Sequence, residues 1–225
     1  MGFFNVYQYA APLVILPLSY WLWLERCGGE HRLAALMLAI PVIYAYIVPA
    51  VGTNMLRIWE FNTKLRLGRF RPHHGFVFGS ATSLIALAAL PPGMAGPWEI
   101  LRAGFVLGSV LAFWNWFYDV EALRAGFLRV YTRSYAEQRG PEAIAMDYAP
   151  PIFGLFGLVY GMAIPLAERF LRGPGDWELY WLAFFAANAV CIAVPVVGYV
   201  AWSYARSGES GLKSYEGQGQ AESPR

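Results

Sequence analysis

The chain has 225 residues, 57% hydrophobic, 17% aromatic and only 14% charged, with a mean hydropathy of +0.39. Soluble domains carry roughly 25% charged residues, so this composition excludes a disordered chain, a nucleic-acid module and an ordinary soluble domain. A formal charge of +2 is too small to imply a polyanionic partner, and Cys27 and Cys191 make neither a disulfide framework nor a C-x-x-C motif.

Charge-free runs predict six transmembrane helices, at about residues 5–24, 33–56, 75–95, 101–119, 149–168 and 179–204. The expected fold is an all-α polytopic bundle over residues 1–206. The N-terminus has no basic leader and no small-residue cleavage site, so the first span reads as a retained helix. Prolines fall inside spans one, two, five and six, at Pro12, Pro17, Pro41, Pro49, Pro165 and Pro195, where they kink helices. Between spans two and three, Asn54, Arg57, Glu60, Lys64, Arg66, Arg69, Arg71, His73 and His74 form the densest polar stretch. It reads either as a cradle for an anionic head group or as a positive anchor on anionic lipid.

Lys64, followed after six residues by Arg71-Pro72, resembles the first signature of the type-2 phosphatidic acid phosphatases, but no histidine follows His74. That family's Ser-Gly-His and His-Asp motifs are therefore absent. The aspartate-rich strings of the CDP-alcohol phosphotransferases and prenyltransferases are absent too. No metal site is expected: His73 and His74 are adjacent and diverge by about 100° on a helix, while His31 falls in the first loop.

The fourth span is short, with 16 uncharged residues from Ala103 to Tyr118, which draws Asp119 toward the low-dielectric zone. Asn115 lies one turn earlier on the same face, and Trp114, Trp116, Phe117 and Tyr118 surround the pair. Asp119 reads as a proton carrier, or as a helix-end partner of Arg57 or Arg124. Val120, Leu123, Phe127, Tyr131 and Tyr135 recur at helical spacing, predicting a cytoplasmic amphipathic helix over residues 120–139. Asp147 and Tyr148 precede Pro150-Pro151 at the start of span five, where Gly154, Gly157 and Gly161 offer one face for close helix contact. Asn188 is the strongly polar residue deep in span six, and residues 207–225 read as a disordered cytoplasmic tail.

The loops after spans two and four and the tail hold twelve of the 17 Lys and Arg residues, and the other three loops hold five. The positive-inside rule then puts both termini in the cytoplasm of an inner-membrane, multi-pass protein. The expected function is an enzyme acting on a lipid or isoprenoid by metal-free acid–base chemistry, as an isomerase, cyclase or hydratase. Its catalytic candidates are Asp119, Glu60 and Asp147, and its substrate-binding candidates are Asn54, Arg57, Arg69, Arg71, His73, His74, Trp114, Asn115, Tyr118 and Asn188. No cofactor is expected. The expected partners are membrane lipids and an apolar small molecule, without nucleic acid, and a homo-oligomer or a larger membrane complex is compatible with the sequence. A small transporter and a non-catalytic subunit are the alternatives.

Overall fold

In the computed structural model, which describes residues 2–173 and 176–218, helix makes up 74% of the chain. The elements are α1 (residues 2–26), α2 (His31–Met55), β1 (Trp59–Phe61), α3 (His74–Ala89), α4 (Pro97–Arg124), β2 (Leu128–Val130), α5 (Arg133–Ala136), α6 (Pro141–Phe170) and α7 (Trp177–Ser207). Four of them, α2, α4, α6 and α7, have 25, 28, 30 and 31 residues and are long and apolar enough to cross a membrane. The fold is all-α, and by length and composition these four helices suit a membrane protein.

Three helices take a wider π turn beside a proline: Ala11–Ile15 contains Pro12, Val51–Met55 follows Pro49, and Pro150–Gly154 opens on Pro150-Pro151. Proline has no N–H and its ring crowds the carbonyl four residues back, so an extra residue in the turn lets the helix continue. For this reason α6 begins at Pro141 and runs through the proline pair, instead of starting near residue 149. Helix α4 begins at Pro97, earlier than residue 101, because Glu99 accepts hydrogen bonds from the Gly96 and Ala95 backbone N–H groups at 2.8 and 2.9 Å. It also ends later, so Asp119 sits inside the helix and not at its end. Helix α3 stops at Ala89, short of residue 95, since Leu90 precedes Pro91-Pro92 and takes extended backbone angles.

The amphipathic helix expected over residues 120–139 is not continuous. Residues 120–124 finish α4, Gly126 turns the chain at φ +66°, and Leu128–Val130 pairs antiparallel with Trp59–Phe61. Only Arg133–Ala136 is helical beyond that point. Phe127 still faces inward, at 1% exposure, whereas Tyr131, 4% exposed, is buried on the outer face against Glu60 and the segment carrying Tyr215. Residues 208–218, expected to be disordered, cross this end of the bundle: Tyr215 N–H donates to Tyr131 O at 3.0 Å and Ser214 Oγ to Arg57 O at 2.8 Å. Residues 219–225 lie outside the described residues.

The core runs along α2, α4 and α6, through Met37, Ile40, Tyr44, Leu107, Phe156 and Tyr160. Helices α4 and α6 meet on glycine. A Cβ on Gly157 would lie 2.7 Å from Gly108 Cα and Leu107 O, and one on Gly161 would lie 2.6 Å from Ala103 O. One end of the bundle is tied by Arg26, whose Nε meets Glu168 Oε1 at 2.8 Å while its other nitrogens donate to Leu90 O and Pro91 O. The opposite end carries the strand pair, the loop over residues 62–73, and Gln8 of α1, which reaches Thr63 at 3.0 Å.

Candidate active site

Strand alternation builds the floor of the site. In β1, Trp59 and Phe61 face the bundle while Glu60 faces away and accepts from Tyr131 Oη at 2.8 Å and Arg66 at 3.2 Å. Burial, followed by the carboxylate of Glu60, pushes the Tyr131 phenol up to about 12. After β1 the loop is shaped by Asn54, which accepts from the Arg69 N–H at 2.9 Å and donates to Leu67 O at 3.2 Å. Gly68 lies between them at φ +64°, where a Cβ would also sit 2.6 Å from Asn54 Oδ1.

This turn points Arg71 into the bundle. Arg71 is 2% exposed, and its guanidinium lies over the rings of Phe61 and Phe127, at 4.9 and 5.4 Å from their centroids. Nη2 meets His74 Nδ1 at 2.6 Å, whereas Nε and Nη1 are buried without a hydrogen-bond partner. Burial pulls the Arg71 pKa down from its ordinary value, yet an arginine starting above 12 stays charged at neutral pH. His73 turns to the other side, stacked on Tyr9 with Nε2 3.2 Å from Gln8 Oε1, and burial followed by the Arg71 charge lowers it to about 4.

Across the cavity, α4 supplies Asp119 and α6 supplies Tyr148. Asp119 is 8% exposed and accepts a hydrogen bond from Tyr148 Oη at 2.8 Å. Both expected cations are engaged elsewhere or turned away: Arg124 pairs with Glu121 and Glu142, and Arg57 is exposed with its backbone at φ +57°. Among the described residues Asp119 makes no ion pair. The cavity between them is lined by Tyr44, Phe78, Phe153, Trp59 and Phe61, together with Asn115 and Tyr118. A buried carboxyl held by a phenol among ring faces can deliver or take a proton where water is scarce, and the rings can shelter positive charge.

No protein-family model, curated protein or solved structure matches the chain. The candidate site therefore rests on its own geometry.

Of the three catalytic candidates, only Asp119 lines this cavity. Glu60 lies on the outer face of β1, and Asp147 faces a separate polar cleft, 3.4 Å from Ser134 N and 3.9 Å from Arg206. The cleft is roofed by the segment carrying Glu209 and Gly211, whose carbonyl accepts from Tyr199 Oη at 2.7 Å. Among the binding candidates, Arg71, His74, Asn115 and Tyr118 line the cavity, and Trp114 lies beside them in a neighbouring groove. Asn54 holds the loop, Arg69 pairs with Glu216 at 2.7 Å, and His73 holds Gln8. Asn115 donates to Leu111 O at 2.8 Å in its own helix, leaving Asp119 to Tyr148. Asn188 does the same in α7, donating to Phe184 O at 2.8 Å, and lies away from the site. Among the described residues no three His, Cys, Asp or Glu side chains gather as a metal site.

Tyr148 is the partner of Asp119 that residue patterning undervalues, since a tyrosine near a membrane interface reads as part of an aromatic belt. Gln8 is readable from sequence by a different signal: an amide in an apolar helix, here 1% exposed, needs a partner, and it finds Thr63 and His73.

Proposed function

We propose that this chain is an integral membrane enzyme that transfers a proton to or from an apolar lipid or isoprenoid, in an isomerisation, cyclisation or hydration. The observation that carries the reading is the buried Asp119 carboxyl, hydrogen-bonded to a neutral phenol instead of a cation, in an aromatic-walled cavity at one end of the bundle. Asp119 would protonate a carbon–carbon double bond, ring faces of Tyr44, Phe78 and Phe153 would lie along the resulting cation, and the Asp119 carboxylate would then take a proton from a neighbouring carbon or from an added water, which neutralises the cation and restores the acid. Tyr148 orients the carboxyl. Glu60 and Asp147 take no part in the step, because both face away from the cavity.

The same proposal has all six long rods crossing an inner membrane, with both termini cytoplasmic. Support comes from the charge asymmetry and from the gathering of the loop over residues 62–73, the β1–β2 pair and residues 208–216 at one end. A bare scaffold subunit has no need of a dry carboxyl in a cavity. Of the exposed aromatics of α7, Trp177, Trp181, Trp202 and Tyr204 lie toward its ends, where a lipid interface accounts for them, and Phe185 lies one turn further in, as an apolar side chain facing hydrocarbon would.

Solvent deuterium tests the reading. Purified protein incubated with total membrane lipid in heavy water should place non-exchangeable deuterium in one lipid species, detected by mass spectrometry. Asp119→Asn should fold with an unchanged melting temperature and lose at least about 100-fold of that incorporation, the usual size of a general-acid contribution. Wild-type protein that labels no lipid, or an Asp119→Asn variant that labels at the wild-type rate, overturns the proposal.

A further inference from the structure

Among the described residues, Arg71 has two buried guanidinium nitrogens without a hydrogen-bond partner. Its ring partners Phe61 and Phe127 occupy the faces of the guanidinium and accept nothing from its edge, where Nε and Nη1 stay buried and unpartnered. The buried Tyr118 hydroxyl faces the same guanidinium and has no hydrogen-bond partner beyond it among the described residues. Leaving charged donors dry and unpaired is costly, and proteins tolerate it where a ligand completes the set. No carboxylate fills that role: Asp119 makes no ion pair among the described residues, and Glu60 is held outside by Arg66 and Tyr131.

Two apolar spaces meet at this point. One is the Asp119 cavity. The other is a groove between α1, α3 and α4, running from Tyr7 and Val77 past Ala81 to Ile85. Both share Arg71, His74, Phe78, Asn115 and Tyr118 as their common wall. From His74 to Ile85 is eleven residues of helix, about 16 Å. A small soluble anion would satisfy Arg71 and leave both spaces empty, whereas an amphiphile would fill an apolar space as well.

Resting on the reading of the Asp119 cavity as an active site, we infer that the substrate is an amphiphile whose single anionic head group, carboxylate or phosphate, binds Arg71 and Tyr118 at the junction of these two apolar spaces. The head group fixes the position of the hydrocarbon relative to Asp119, as remote binding contacts position reacting atoms in other enzymes.

Binding of radiolabelled dodecyl phosphate, dodecanoate and dodecanol to the full chain in phosphatidylcholine nanodiscs tests this directly. At least one of the two anions should bind saturably and at least about tenfold tighter than dodecanol, one charge-assisted contact's worth. Inorganic phosphate at equal concentration should not compete. Arg71→Gln should abolish the preference for the anion, and Tyr118→Phe should weaken it several-fold. Dodecanol binding as tightly as both anions, competition by inorganic phosphate alone, or full anion preference in folded Arg71→Gln overturns the inference. Should Arg71→Gln not fold, the wild-type series and Tyr118→Phe decide. Anion preference without deuterium transfer to any lipid removes the enzyme reading alone, and deuterium transfer without anion preference removes the head-group inference alone.

Discussion

At the scale of single residues, the polar end of the bundle is organised by what each side chain is denied. His73 is the clearest titrating case. Burial and the Arg71 charge lower it to about 4, against about 6.5 in an unfolded chain. The folded state therefore keeps His73 neutral while the unfolded state gains a proton below pH 6.5, so its contribution to stability is full above that pH and is lost as pH falls toward 4. The melting temperature should accordingly drop across pH 6.5 to 4, and His73→Gln should make that drop shallower. An identical slope in the variant would show that His73 is solvated. The sequence made the charged residues of the loop over residues 57–74 conspicuous but could not sort them, because Arg69 and Arg71 are two positions apart and look alike. Their fates differ because Asn54 fixes the turn at Gly68, sending Arg69 out to Glu216 and Arg71 in to Phe61.

At the scale of elements, helix identity was legible wherever apolar length decided it, and ends were not, since caps and prolines set them. Residues 120–139 show the reason for the one change of type. Apolar residues spaced three and four apart fit a helix, but Gly126 adopts a positive φ and β1 offers an unpaired backbone edge, so extended pairing prevails. The glycines of α6 were readable as a packing face, and their partner face on α4, Gly104 and Gly108, places Asp119 and Tyr148 on the two helices held closest together. Gly157→Ala puts a methyl group against backbone atoms 2.7 Å away, which forces the helices apart. That variant should lose about 1–3 kcal/mol of stability, the usual cost of overpacking, and should lose deuterium transfer with it. Gly2→Ala, where the added carbon meets nothing within 4 Å, is the matched control. Equal melting temperatures for the two would remove the seam from the account.

At the scale of the whole molecule, the two ends differ in kind. One is closed by the buried Arg26–Glu168 pair, and the other carries the strand pair, the site and the strap of residues 208–216. Exposed Lys64 at the site end and exposed Pro92 at the other give the topology a direct check. Lys64→Cys should resist a membrane-impermeant thiol reagent in intact cells, and Pro92→Cys should react; the reverse pattern inverts the orientation. The natural thiols do not interfere, because both are buried and burial raises Cys27 to about 11. Helix α3 adds a property that belongs to protein and bilayer together. Its 16 residues span about 24 Å, against a hydrocarbon layer of about 30 Å. With all six rods across the membrane, lipid beside α3 must thin or tilt to meet it. The dimple would form along the groove that leads to Arg71, bringing lipid head groups down to the level of the site and shortening the path by which a charged head enters a dry interior.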